Sequence, residues 1–110
     1  MPFRAILESL VVTHAPGVRA AVFCDHEGER IDACCGELSA FDVDVIGASL
    51  AAVTENLHCG QQLRMVSDDD IFWIVMVEDG CYLVVICRRG QDFACKADLP
   101  SIAQALVAYM

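Results

Sequence analysis

The segment from Phe41 to His58 constrains the fold more than any other part of the chain, because two of its faces are unsuited to water. At about 3.6 residues per turn, Val43, Ile46, Leu50, Val53 and Leu57 align as one apolar stripe, so the spacing predicts a helix. The opposite side carries Asp44, Ala48, Ala51 and Glu55, with Gly47 and Ala52 on its flanks. A helix that met only solvent there would carry long charged side chains. Alanine and glycine instead let another backbone approach closely. The helix is therefore expected to pack on its own domain with one face and on a partner with the other, which puts protein contact ahead of catalysis as the place to look for function.

The chain has 110 residues, enough for one domain spanning 1–110 with one buried core and too few for two. It is 56% hydrophobic, with a mean hydropathy of +0.49. Apolar side chains in that number imply a sheet covered on both faces, or an oligomer interface that takes the excess. No segment reaches the roughly 18 uncharged apolar residues of a membrane span. The longest apolar run, Ile71 to Val77, is strand-sized. The start at Met1-Pro2-Phe3-Arg4, soon interrupted by Glu8, does not read as a secretory signal, so a cytoplasmic location is expected. A net charge of −9 argues against nucleic acid or an anionic membrane as partner. Seven cysteines without an export signal read as reduced thiols.

Phe3, Ile6, Leu7, Leu10 and Val11 recur at helical spacing, which predicts a first helix over 3–14, stopped by Pro16-Gly17. Val18 to Asp25 alternates, with Val18, Ala20, Val22 and Cys24 on one face and Arg19, Ala21 and Phe23 on the other. Asp25-His26-Glu27-Gly28 is a turn signal, and Arg30 to Cys35 is the return strand of a hairpin. Ser39 is a candidate N-cap for the middle helix, which is expected to end near Cys59-Gly60. Leu63 to Ser67, Ile71 to Val77 and Cys81 to Cys87 read as strands, separated by turns at Ser67 to Asp70 and Glu78-Asp79-Gly80. The last two are apolar on both faces, as central strands between helices should be. Arg88 to Lys96 reads as a polar connection, and Leu99, Ile102, Ala103, Leu106 and Met110 as a final helix with Pro100 in its first turn. The order is α-ββ-α-βββ-α, an α+β domain.

Four features in this order carry a family resemblance across nearly the whole chain. They are Ala15-Pro16-Gly17-Val18 before a small-residue strand, Asp25-x-x-Gly28 followed by Ile31, Gly47-Ala48-x-x-Ala51-Ala52, and Gly80-x-x-Leu83-Val84-Val85. In these the chain resembles the roadblock / dynein light chain family, which includes the MglB-type regulators of small Ras-like GTPases. The resemblance implies a five-stranded antiparallel sheet in a roadblock-like, profilin-like sandwich, with the middle helix on one face and the terminal helices on the other. It further implies a homodimer, or a heterodimer with a related domain, formed through the third strand and middle helix, whose paired middle helices seat a GTPase. Carried onto this sequence, the expected interface comprises Asp44, Gly47, Ala48, Ala51, Ala52 and Glu55 from the helix, with Leu63 and Met65 from the strand. Glu29, the acidic run Asp68 to Asp70 and the cysteine count depart from the family pattern.

The residues that could carry chemistry favour no reaction. Cys34 and Cys35 are adjacent on a strand and point to opposite faces, and no Cys-x2-4-Cys pair offers zinc-ligand spacing. His58-Cys59 is the one adjacent His/Cys pair, in an acidic chain that would not lower a thiol pKa. His14 reads as a helix-terminal charge. Neither phosphate-binding glycine pattern is present, so no nucleotide or other cofactor is expected. Asp68 to Asp70 lacks the further ligands of a calcium loop. Arg88-Arg89 invites comparison with an arginine finger, but it follows a central strand, where a structural or solvated role fits better. The expectation is a non-catalytic dimeric regulator or scaffold that binds a Ras-like small GTPase. The alternatives are a self-contained homodimeric scaffold and a small-ligand sensor, the latter needing a cavity that Phe72, Trp73, Met76 and Tyr82 would instead fill.

Overall fold

The computed structural model describes residues 2–78 and 80–110. Asp79, at the centre of the predicted Glu78–Gly80 turn, lies outside the described residues, as does Met1. Helix α1 (Pro2–Thr13) leads into the hairpin β1 (Val18–Cys24) and β2 (Arg30–Cys34). Helix α2 (Ala40–Ser49) and the short α3 (Ala51–Thr54) precede strands β3 (Gln62–Val66), β4 (Asp70–Glu78) and β5 (Cys81–Arg88). A one-turn helix α4 (Phe93–Lys96) and helix α5 (Leu99–Val107) complete the chain. The strands form one antiparallel sheet of five in the order β2-β1-β5-β4-β3, with β2 and β3 at its edges.

Period-two alternation sends each strand's side chains to two core layers, one on each face of the sheet, where the chain length had suggested a single core. Helices α1 and α5 cover one face, packing Leu7, Leu10, Leu99 and Leu106 on Phe23, Trp73, Val75 and Val85. His14 at the end of α1 lies 2.6 Å from Asp98 at the start of α5, so this histidine ties the two helices together. On the other face the predicted stripe of the middle helix packs as expected: Val43 and Leu50 are buried, and Ile46, Val53 and Leu57 pack half-buried on Val22, Ile74 and Val84. Strand β1 follows its predicted alternation except at Val18, which joins the α1/α5 face because the pairing with β5 shifts register between Val18 and Ala20.

The middle helix is shorter than its apolar periodicity predicts. It ends at Ser49 instead of running to Cys59-Gly60, and His58, Cys59 and Gly60 occupy a loop. Side chains compete with the helical ladder at this point. Ser49 Oγ donates back to the Val45 carbonyl at 2.6 Å, and Leu50, at φ −92° and ψ −2°, bonds three residues back to Gly47 O. Only one further turn, α3, forms before the chain leaves for β3. The predicted cap at Ser39 is present: its hydroxyl accepts from Asp42 N–H at 3.0 Å.

Two segments, one read as a polar connection and one as a turn, carry more structure than their composition suggests. Within Arg88 to Lys96, α4 forms because Asp92 and Cys95 both turn into the protein and are fully buried. In the acidic turn Ser67 to Asp70, Asp70 begins β4 and pairs with Arg19 Nη1 at 2.6 Å, so one of the three carboxylates is a structural ligand of an arginine on β1.

Candidate protein-interaction site

Helix α2 is held to the sheet by its one glycine. A Cβ at Gly47 would sit 2.8 Å from Cys24 Sγ, and the Gly47 carbonyl accepts a 2.7 Å hydrogen bond from the Tyr82 hydroxyl. The β1–β2 turn then leans on the same helix from the side. Asp25 Oδ1 accepts from Glu27 N–H and Glu29 N–H, which places Gly28 at φ +85°. A side chain at Gly28 would lie 2.9 Å from Ala48 Cα and 3.2 Å from Ala51 Cβ. Part of the small-residue face is therefore used inside the chain: Gly47 is buried, Ala51 is half-buried, and Ala48 stands at the margin of the hairpin.

Ala48 nonetheless remains exposed, as do Ala52 and Glu55. Asp44 is half-buried and faces Arg30 of β2, whose Nε lies 3.3 Å from Asp44 Oδ1. That oxygen accepts no hydrogen bond among the described residues, so the contact is an ion pair without aligned donation. The most exposed apolar side chains of α2 are two that the sequence reading did not select, Phe41 at 74% and Val45 at 47%. With Ala48 and Ala52 they follow helical spacing along the outer surface, and that i, i+4 spacing was the available signal.

Toward β3 the same sheet face is less fully covered among the described residues. Helix α2 packs on β1 and touches β2. On β3, Leu63 and Met65 point to this face, paired in register with Ile74 and Phe72 of β4. Leu63, Met65 and Phe72 are half-buried, and Val66 at the end of the edge strand is 55% exposed. The outer edge of β3 also presents unpaired backbone groups. Both predicted strand residues thus lie on the α2 face, beside an open strand edge.

The far side of β3 is anchored by a constellation with no local sequence signal. Arg64 donates to Asp92 through Nε (2.7 Å) and Nη2 (3.1 Å), and Trp73 Nε1 donates to Asp92 Oδ2 at 2.9 Å. The Arg64 guanidinium also stacks 4.8 Å from the Phe93 ring centre, and Lys96 lies over Trp73 at 5.5 Å. Hydrogen bonding from Arg64, then from Trp73, holds the Asp92 carboxyl below its ordinary range despite its burial.

The remaining candidates fall into structural roles. Arg88 donates to Pro16 O and to Glu37, and Arg89 donates to Asp68 O, so both arginines are tied within the chain. Cys59 Sγ donates to Val77 O at 2.8 Å. Cys34 ends β2, one residue short of the predicted strand end, and Cys35 lies just beyond it; the two pack toward opposite faces of the sheet. Burial pushes the Cys24 thiol up to about 12. Among the described residues no group of three or more His, Cys, Asp or Glu could hold a metal ion. Nor is any described helix long and apolar enough to cross a membrane. Of the four large strand side chains set against a ligand cavity, Trp73, Met76 and Tyr82 are buried in the cores and Phe72 is only half-buried. A surface groove of about 330 Å³ lies between β4 and α5, lined by Met76, Pro100 and Val107 among others.

This arrangement of sheet, middle helix and paired terminal helices is the roadblock/LC7 fold. A roadblock/LC7 domain from Streptomyces avermitilis superposes with a TM-score of 0.78 at 16% identity, over 96% of this chain and 94% of that one. Myxococcus xanthus MglB gives 0.78 at 14% identity, over 97% and 93% of the two chains. MglC from the same organism gives 0.74 at 21% identity with both chains covered completely. No protein-family model matches the sequence, and no curated protein matches it. The likeness is thus one of fold, carried by structure at identities where sequence comparison falls silent.

Proposed function

We propose that this protein is a non-catalytic dimeric regulator or scaffold that binds a Ras-like small GTPase through paired middle helices. The observation that carries the reading is the exposed row of Phe41, Val45, Ala48 and Ala52 at helical spacing, together with the half-buried Leu63, Met65 and Phe72 near the open β3 edge. Antiparallel pairing of β3 with β3 of a second copy would extend the sheet and close the open edge; the pairing of the two middle helices is what the family resemblance adds. A related domain with the same surface could replace the second copy. The GTPase assignment rests on the sequence resemblance to MglB-type regulators and on the shared fold with MglB.

The joined helices would form a low-relief platform with Asp42 and Glu55 exposed along it. A partner surface rich in Arg or Lys suits that charge, which sets orientation and association rate more than affinity. With Arg88 and Arg89 committed inside the chain, any effect on GTP hydrolysis would come from repositioning the GTPase's own residues. The test is binding of the host's Ras-like GTPases, loaded with GTP or GDP, to the wild-type protein and to Phe41→Asp. Wild type should bind in at least one nucleotide state and the variant about thirtyfold more weakly, the size of a hot-spot loss of about 2 kcal/mol. If no GTPase binds in either state while the dimer persists, a self-contained scaffold is the better account.

A further inference from the structure

One pair of side chains has no part in that surface. Cys87 Sγ on β5 and Cys95 Sγ on α4 lie 3.7 Å apart, both fully buried. Cys95 also lies 3.1 Å from the backbone carbonyl oxygen of Asp92 and donates its S–H there, which leaves the Cys87 proton as the one between the two sulfurs. We infer that Cys87 and Cys95 are a redox-closable dithiol, joined by exchange with a small disulfide such as oxidised glutathione, and that closure is transmitted through Asp92 to Trp73 and Arg64.

The surroundings of the pair suit this chemistry. Cys87 is fixed in the sheet, in register with Val18 of β1 and Ile71 of β4. Cys95 sits on a four-residue helix without a side-chain cap, between exposed Gly90-Gln91 and Ala97-Asp98. This one-turn segment is held by Asp92, Phe93 and Lys96 and not by a strand ladder, and its local opening is the route by which a small disulfide reaches a thiol that is otherwise buried. Donation from Cys87 lowers the Cys95 pKa, so Cys95 is the thiol that ionises and attacks first, while the hydrogen bond to Cys95 and then burial hold Cys87 up.

In the first exchange the Cys95 thiolate attacks one sulfur of the small disulfide, whose S–S bond breaks and whose other half leaves as a thiolate and takes up a proton. In the second, the Cys87 thiolate attacks the Cys95 sulfur of the mixed disulfide and expels the remaining half. Two protein thiols are oxidised to one disulfide, and one small disulfide is reduced to two thiols. Bringing the sulfurs to about 2 Å moves Cys95 and removes its S–H donor from Asp92 O. The Asp92 carboxylate is bonded to Trp73 Nε1 and to Arg64 of β3, so the displacement reaches the only tryptophan in the chain.

The experiment incubates the intact, folded protein with excess oxidised glutathione, quenches in acid, blocks remaining thiols and maps disulfide-linked peptides by mass. In parallel, the Trp73 indole N–H resonance is followed by NMR. A bond linking Cys87 to Cys95, a moved Trp73 resonance and reversal of both by dithiothreitol are expected. Absence of that linked peptide, or a bond mapped between other cysteines in its place, overturns the inference. A bond at 87–95 with an unmoved Trp73 resonance overturns the transmission. Cys95→Ala should abolish the linked peptide and the resonance change; if that variant does not fold, the wild-type mapping alone decides.

Discussion

The Tyr82 hydroxyl, buried beneath the middle helix, donates to the carbonyl oxygen of Gly47 at 2.7 Å, and this one bond joins the central strand to the helix that carries the exposed surface. Side-chain-to-backbone bonds of this kind set the height of a helix above its sheet. Burial pushes the Tyr82 phenol above its ordinary pKa, so it remains a donor throughout the range in which the protein would be handled.

Tyr82→Phe should destabilise the protein by about 1 kcal/mol, the net worth of one such bond. Gly47→Ala should cost more, because its Cβ would meet Cys24 Sγ at 2.8 Å. Cys24→Ala in the same chain should recover part of that loss, and a double-mutant cycle in urea unfolding measures the coupling. A Gly47→Ala protein as stable as wild type would show that the helix can lift without cost.

Asp92 predicts an acid-sensitive contribution to stability. Its folded pKa is depressed, first by hydrogen bonding from Arg64. The stability it supplies is therefore present above its unfolded value, about 3.9, and is lost as pH falls through the lower folded value. Asp92→Asn should be less stable than wild type at neutral pH, and the gap should narrow below about pH 4. Asp92→Ala strands the buried Trp73 N–H, a loss of about 1–3 kcal/mol. Thermal unfolding of the three proteins between neutral and acid pH checks both statements; a gap that stays constant with pH would remove the charge from the account.

The order of elements and the burial pattern were legible because they depend on local periodicity. Val43, Ile46 and Leu50 announce an inward stripe, and Cys81 to Cys87 announces a strand covered on both sides. The length of the middle helix was not legible, since Ser49 and Thr54 each choose a backbone carbonyl over solvent, and periodicity carries no record of that choice. The small residues were half legible. Their pattern says that a backbone comes close, but Gly28 of the chain's own hairpin accounts for part of that approach. Asp92 was illegible in principle: its partners Arg64 and Trp73 are 28 and 19 residues away, joined only by the sheet.

Self-association should be visible at the two surfaces that remain open. Phe41→Asp places a charge in the first turn of the proposed interface helix, and Val66→Lys places one at the end of the exposed strand edge; neither side chain belongs to a core. Each variant should keep the wild-type circular dichroism spectrum while light scattering falls from the dimer toward the 12.0 kDa chain mass. A wild-type protein that scatters as a monomer throughout the micromolar range would defeat the pairing directly.

Charge reversal can separate docking from folding, provided the carboxylate is chosen with care. Asp44→Lys would set an ammonium against Arg30, whose Nε now lies 3.3 Å from the carboxylate, so a loss of binding there would be mixed with a loss of fold. Glu55 is exposed at the end of α3, and its reversal reports on the partner more cleanly. Glu55→Lys should leave dimerisation and unfolding unchanged, slow association with a GTPase, and weaken the dependence of that rate on salt, because long-range attraction acts mainly on encounter. Stopped-flow association over a range of ionic strengths reads all three effects. Equal rates for wild type and Glu55→Lys at low salt would place the docking surface elsewhere on the dimer.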